Sequence, residues 1–135
     1  MKKSILSLGL LMSFAFALAS NNPEVRVDNE NVIAFATVNS FCKLIQLGDY
    51  DAVKTLIERG EDVNKKSTGL TPLMFAARHN QPEIAKLLID SGAKLNSRSE
   101  REGMTALQLA ERYKATEAYE VIKNATQDKK NGKKK

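Results

Sequence analysis

The chain repeats itself, and that constrains its fold more than any single residue does. Moving the segment from Val63 to Asn96 back by 32 residues places Gly92 on Gly60, Leu95 on Val63, Asn96 on Asn64, Leu88 on Leu56 and Ile89 on Ile57. Moving it forward by 34 residues matches Gly69 with Gly103, Thr71 with Thr105, Leu73 with Leu107 and Ala76 with Ala110. Three similar units therefore lie between about residue 39 and residue 124. A unit this short cannot bury its apolar side alone, so a sequence with this period must stack its units against one another.

Each unit reads as two short helices. Asn39, Thr71 and Thr105 share one register, and each side chain can accept a hydrogen bond from a free amide at a helix start. Pro72 follows at the first helical position, where its missing N–H is no loss. The first helices are predicted over about 40–47, 72–79 and 106–113. Gly48 and Asn80 follow two of them, and both residue types tolerate the left-handed conformation that ends a helix; Lys114 stands at that place in the third unit and predicts a looser turn. Asp51, Glu83 and Glu117 open the second helices, near the positive end of the helix dipole, and these run to about Arg59, Asp90 and Asn124. Leu73, Ala76, Ala77, Ile84, Leu87 and Leu88 fall on inward stripes, where the small alanines let paired helices approach closely.

Gly69, Thr71, Pro72 and Leu73 form a G-x-T-P-L core, continued by Ala76, Ala77, Glu83, Lys86, Leu87, Leu88, Gly92, Ala93 and Asn96. In these residues the chain resembles the ankyrin-repeat family, most specifically in its middle unit. The resemblance implies an all-α ankyrin-repeat solenoid of three helix-turn-helix units, about 39–66, 67–100 and 101–124, with short projecting loops. Where the family usually has a histidine after T-P-L, the three units have Cys42, Met74 and Gln108, so that histidine's hydrogen bonds to the adjoining loops are not expected. Four residues separate Asn64 from Gly69 and six separate Asn96 from Gly103; the loops are unequal, and the second is expected to reach further. The first unit lacks T-P-L and the last lacks a following glycine loop, as terminal caps do.

The ends read differently. Two lysines, an apolar run from Ile5 to Leu18 and the small-x-small triplet Ala17, Leu18, Ala19 make residues 1–19 a secretory signal peptide. The 14-residue run is short of the roughly 20 needed to cross a bilayer. Asn21, not cysteine, follows Leu18, Ala19 and Ser20, so no lipid anchor and no stable membrane anchor is expected. The compact leader is of bacterial type, which places the mature chain in the periplasm or outside the cell. Its 116 residues make one modest domain. Residues 20–38 are an N-terminal extension or cap, and the lysine-rich tail, 125–135, is expected to be disordered.

Charge and composition exclude several functions. The formal charge is +5, but Lys2 and Lys3 belong to the leader and Lys129, Lys130, Lys133, Lys134 and Lys135 to the tail. Taking these seven from the 21 Lys and Arg leaves 14 against 16 acidic residues, so the body carries −2 and is no nucleic-acid binder. Cys42 stands alone, which rules out an intramolecular disulfide, a CxxC pair and a zinc cluster. His79 is the single histidine, so a histidine-based catalytic arrangement would have to use it; Cys42 reads as a buried, inert thiol. Neither GxxxxGK nor GxGxxG occurs, and the carboxylates read as helix starts and solvated turns. No catalysis and no cofactor are expected.

In proteins of this resemblance, partners usually meet the loop tips and the exposed side of the first helices. Carried over residue by residue, this gives Lys65, Lys66, Ser67, Thr68 and Leu70 in one loop and Arg98, Ser99, Arg101, Glu102 and Met104 in the other. On the helices it gives Gln46, Leu47, Arg78, His79, Arg112 and Tyr113. Basic side chains around Leu70, Met104 and Tyr113 suit an acidic patch on another protein, since arginine and tyrosine carry much of the energy at interfaces. The expectation is a monomeric, non-catalytic protein-binding module of the periplasm. Two alternatives accompany it. Similarity to small exported bacterial proteins linked to catalase function and haem handling implies an accessory factor for a haem or redox enzyme, with Cys42, Met74, His79 and Tyr113 as ligand candidates. An immunity or inhibitor protein would use the same surface.

Overall fold

The computed structural model describes residues 38–132. The signal peptide read at 1–19, all but the last residue of the 20–38 extension, and Lys133–Lys135 lie outside the described residues. Six helices follow in order: α1 (Ser40–Leu47), α2 (Tyr50–Glu58), α3 (Pro72–Arg78), α4 (Pro82–Asp90), α5 (Ala106–Arg112) and α6 (Thr116–Gly132).

Every first helix starts on its foreseen cap. Asn39 accepts from the Cys42 amide at 2.8 Å, Thr71 from Met74 and Thr105 from Gln108, both at 3.3 Å. Two of the residues in the family's histidine position brace the start as well. Gln108 Oε1 accepts from the Thr105 amide at 3.0 Å, and Met74 Sδ stands 3.4 Å from the Thr71 amide.

The turn between the helices of each unit uses one left-handed residue: Gly48 (φ 73°), Asn80 (φ 48°) and Lys114 (φ 55°). Each is followed by an amide that bonds back to an inner-helix carbonyl: Asp49 to Leu44 at 3.1 Å, Gln81 to Ala76 at 2.9 Å, Ala115 to Ala110 at 2.8 Å. The looser third turn expected from Lys114 is thus not found. A left-handed lysine costs on the order of 1 kcal/mol, and seating the fully buried Ala118 and nearly buried Ala115 against the stack offsets it.

The helices form two layers. α3 packs between α1 and α5, and α4 packs between α2 and α6. Ala76, Ala77, Ala85, Ala110 and Ala118 are all fully buried, as the close approach of the layers requires. In α3 every residue from Pro72 to Ala77 is buried, because this helix has neighbours on three sides.

Polar side chains staple unit to unit. Asn64 accepts from the Lys94 amide at 2.8 Å and donates to the Gly92 carbonyl at 3.2 Å. Asn80 accepts from the Ala118 amide at 3.1 Å and donates to Glu117 at 3.1 Å. The second of these matters because Ala115, just before α6, has no side-chain oxygen with which to cap it. A residue of the preceding unit caps the last helix instead.

The tail differs from its expectation. α6 runs on to Gly132, so residues 125–132 are helical, not disordered. Lysine is a good helix former and suits the negative end of the dipole, and Ala125 still packs against the core.

Candidate partner-binding site

The surface is built from the ends of the inner helices and two hairpin loops. In the first loop Ser67 and Leu70 exchange backbone hydrogen bonds at 2.8 and 3.0 Å around a two-residue tip, Thr68 (φ 53°) and Gly69 (φ 81°). Positive φ at both central residues is the turn that matches the twist of a hairpin. A Cβ on Gly69 would stand 3.0 Å from Glu100 Cβ, so the next loop leaves no room for one. The second loop is longer and is closed by the Ser99 amide on the Met104 carbonyl at 2.8 Å.

The loops are tied together. The Glu100 amide donates to the Gly69 carbonyl at 3.0 Å, and Lys66 Nζ lies 3.5 Å from Glu100 Oε1. Arg98 donates to the Gly103 carbonyl at 2.7 Å, and an Arg112 nitrogen lies 3.7 Å from Met104 Sδ. These contacts hold the side chains of Lys66, Arg98 and Met104 against the loops, with Lys66 and Arg98 still exposed.

Three expected contact residues are buried. Ser67 is 6% and Leu70 7% exposed. The Ser67 hydroxyl accepts from the Asn39 amide at 2.9 Å, joining the first loop to the start of α1, and Leu70 belongs to the core. Ser99 is buried too and accepts from the Met104 amide at 3.1 Å. The loop bases lean inward over the helices, so only the tips are open to a partner.

Exposed among the expected contacts of the loops and helix ends are Lys65, Lys66, Arg78, His79, Arg98, Arg101, Glu102, Arg112 and Tyr113. Arg78 Cζ sits 4.7 Å from the centre of the Tyr113 ring, a cation–π contact that links the ends of α3 and α5. Lys43 joins this group, though sequence reasoning missed it. The repeat register sets Lys43 opposite Phe75 and Leu109, which are buried, whereas in the first unit the position is exposed. The charge itself was the signal. A shallow cavity of about 370 Å³ opens among Thr68, Gly69, Leu70, Arg78, Arg101 and Glu102. Leu47, at the end of α1, is 68% exposed, the most open large apolar side chain of the described residues.

The field here is positive. Partial burial, then the charges of Arg78 and Lys43, hold His79 below its ordinary pKa. The unfolded chain takes up this proton near the usual value of about 6.5, and the folded chain only at lower pH. His79 therefore contributes stability that is complete above about 6.5 and is lost as pH falls through its folded value. His79→Gln should flatten that part of a stability–pH curve measured by urea unfolding; an unaltered slope would contradict the assignment.

The arrangement offers little to catalysis. Cys42 is fully buried, and burial with the nearby Glu61 carboxylate pushes its thiol up to about 12, so it stays protonated. Met74 is equally buried, while His79 and Tyr113 lie exposed at the ends of α3 and α5. The four side chains considered as haem ligands are thus divided between core and surface. Among the described residues no cluster of three or more His, Cys, Asp or Glu is placed to hold a metal ion, and no helix is long and apolar enough to cross a membrane.

Stacked helical hairpins with braced loop tips and an open, basic inner edge define a repeat solenoid built to display a surface. The chain belongs to the ankyrin-repeat family: the family model described as ankyrin repeats, three copies, matches residues 41–132. It is 36% identical over 91 residues to the ankyrin repeat protein FPV031 of fowlpox virus, covering 65% of this chain and 24% of the relative. It is 34% identical over 114 residues to M-phase phosphoprotein 8 of Rattus norvegicus, covering 78% of this chain and 13% of the relative. An ankyrin repeat protein of Rickettsia bellii is 38% identical over 85 residues, 58% of this chain and 12% of its own length. The chain thus spans a quarter or less of these relatives. Among solved structures, it is similar to one chain of the complex between the Bd0816 predatory endopeptidase from Bdellovibrio bacteriovorus and the immunity protein Bd3460. That match has a TM-score of 0.61 and 30% identity over 64% of this chain and 46% of the other. Ankyrin repeats bind other proteins and are generally non-catalytic.

Proposed function

We propose that this protein is an exported, non-catalytic binding module of the periplasm that holds a partner protein by an acidic patch. The observation that carries the reading is the basic surface formed by Lys43 on α1, Arg78 and Arg112 at the ends of α3 and α5, and Arg101 at the second loop, beside the exposed Tyr113. Loops that are already hydrogen-bonded to one another lose little conformational freedom on association, so the favourable contacts are not spent on ordering them. The leader at residues 1–19 supports export.

Capture from a periplasmic extract tests this reading. The intact protein should retain a partner that an Arg78→Glu, Arg101→Glu double variant loses, since charge reversal places repulsion where attraction stood. A partner held equally by both would show that this face is not the one in use. Docking of an acidic patch should also raise the pKa of His79, which proton NMR of its imidazole would follow; a bound complex with His79 unmoved would place the partner elsewhere.

The likeness to a chain of an endopeptidase–immunity protein complex favours a second reading, in which the module silences an exported hydrolase. The captured partner would then lose activity at one equivalent of added protein. A partner fully active in the complex would leave binding without inhibition.

A further inference from the structure

The cavity between the first loop tip and the end of α3 stands apart from the rest of the basic surface, because two arginines without a carboxylate partner among the described residues line it together. We propose that this cavity is the recognition subsite of the partner-binding face and takes an aspartate or glutamate side chain of the partner. The inference rests on the reading of that face as the protein-binding one.

Arg78 and Arg101 stand among its lining residues, and among the described residues neither forms an ion pair with a carboxylate. Lys66, close by in sequence, is already matched by Glu100. Tyr113 holds the Arg78 guanidinium by a cation–π contact, 4.7 Å from Cζ to the ring centre, and no hydrogen bond of the described residues uses the N–H groups that grip a carboxylate. The ring thus restrains the group while its N–H donors remain unused within the described fold.

The loop tip also carries two unused amides. The Ser67 and Leu70 amides are used in closing the turn, but those of Thr68 and Gly69 have no acceptor among the described residues. Only one apolar side chain, Leu70, lines the cavity, whereas small-molecule pockets are mostly apolar and enclose most of their ligand. A shallow, donor-rich hollow of about 370 Å³ suits one carboxylate side chain reaching in from a surface laid across it. Glu102, the single acidic group on the rim, works against such a guest and provides a test of sign.

The full chain, isotopically labelled, is titrated at constant ionic strength with end-blocked hexaglutamate, with hexaglutamine and with inorganic phosphate. Hexaglutamate should move the Thr68 and Gly69 amide signals and the Arg78 Nε–H signal together and saturably. Arg78→Gln and Arg101→Gln should each weaken its binding about fivefold or more, Glu102→Gln should tighten it about two- to threefold, and Lys54→Gln, on the outer helix α2, should change it little. The variants lie at exposed positions, and their spectra report whether they remain folded. Hexaglutamine or phosphate matching hexaglutamate in shifts and affinity, shifts confined to the tail lysines, or binding indifferent to Arg78→Gln would each overturn the subsite. If the titration fails while capture still depends on Arg78 and Arg101, the subsite falls and the wider surface stands. Capture independent of both residues would instead remove the surface reading on which it rests.

Discussion

Leu88→Ala is expected to lower the free energy of unfolding by about 2 to 5 kcal/mol, the range for emptying a fully packed leucine site. Leu88 has no exposed surface and lies in α4, the middle helix of the outer layer, with α2 on one side and α6 on the other. A solenoid draws its stability from each unit and from each interface between units, so damage in the central unit weakens both interfaces at once. For a domain of this size, each kcal/mol is worth roughly 4 to 8 °C in melting temperature, and a fall of about 10 °C or more should appear in thermal unfolding followed by circular dichroism. Lys86→Ala in the same helix is the control. Lys86 is exposed and paired only with Asp90 one turn away, at 3.1 Å, so its loss should stay within about 0.5 kcal/mol. Equal melting of the two variants would mean that α4 packs by a different face.

The second large effect is expected at Asn80, where two requirements meet. Its backbone is left-handed, at φ 48°, and its side chain caps α6 from outside by accepting from the Ala118 amide. Valine satisfies neither. A branched side chain in that conformation costs on the order of 1 to 3 kcal/mol, and a lost helix cap about 0.5 to 2. Asn80→Val should therefore destabilise by about 2 to 4 kcal/mol, allowing for incomplete additivity. Asn80→Gly keeps the backbone and loses the cap, so it should cost about 1 kcal/mol, and the gap between the variants measures the strain. Urea unfolding of both would decide the matter. Two variants of equal stability would show that the conformation is unstrained and the cap alone counts.

These two sites illustrate what was legible beforehand and what was not. The burial of Leu88 and the turn role of Asn80 follow from repeat register and residue type, because both are local chemistry repeated at a fixed spacing. The bond from Asn80 to the start of α6 was not legible. It joins residues 38 apart in sequence, and nothing in either segment marks the other. Lys114 shows the same limit from the other side. Its residue type argues against a left-handed turn, yet burial of Ala115 and Ala118 just beyond imposes one.

The candidate site divides likewise. Arg78, Arg101, Arg112, His79 and Tyr113 were placed on the exposed inner edge by carrying the ankyrin resemblance over residue by residue, and all five are exposed. Ser67 and Leu70 were assigned to the same surface because they sit in a loop, but a loop base that leans over the helices turns its side chains into them. Lys43 was passed over for the opposite reason, since its counterparts in the other units are core. The helical run beyond Asn124 also went unforeseen, because a lysine-rich composition says nothing about whether a neighbouring helix offers something to continue against.

By itself the sequence determined the kind of unit, the number of units, the caps that start the inner helices and the stripes that face inward. All of these depend on interactions within a few residues, multiplied by a period. The tertiary structure decided which basic side chains stand together, that Arg78 lies on Tyr113, and that a loop tip and two arginines enclose one hollow. Those groups come from different units, and the angle at which one hairpin leans on the next, set by the packing of the buried alanines and leucines, brings them within reach of each other.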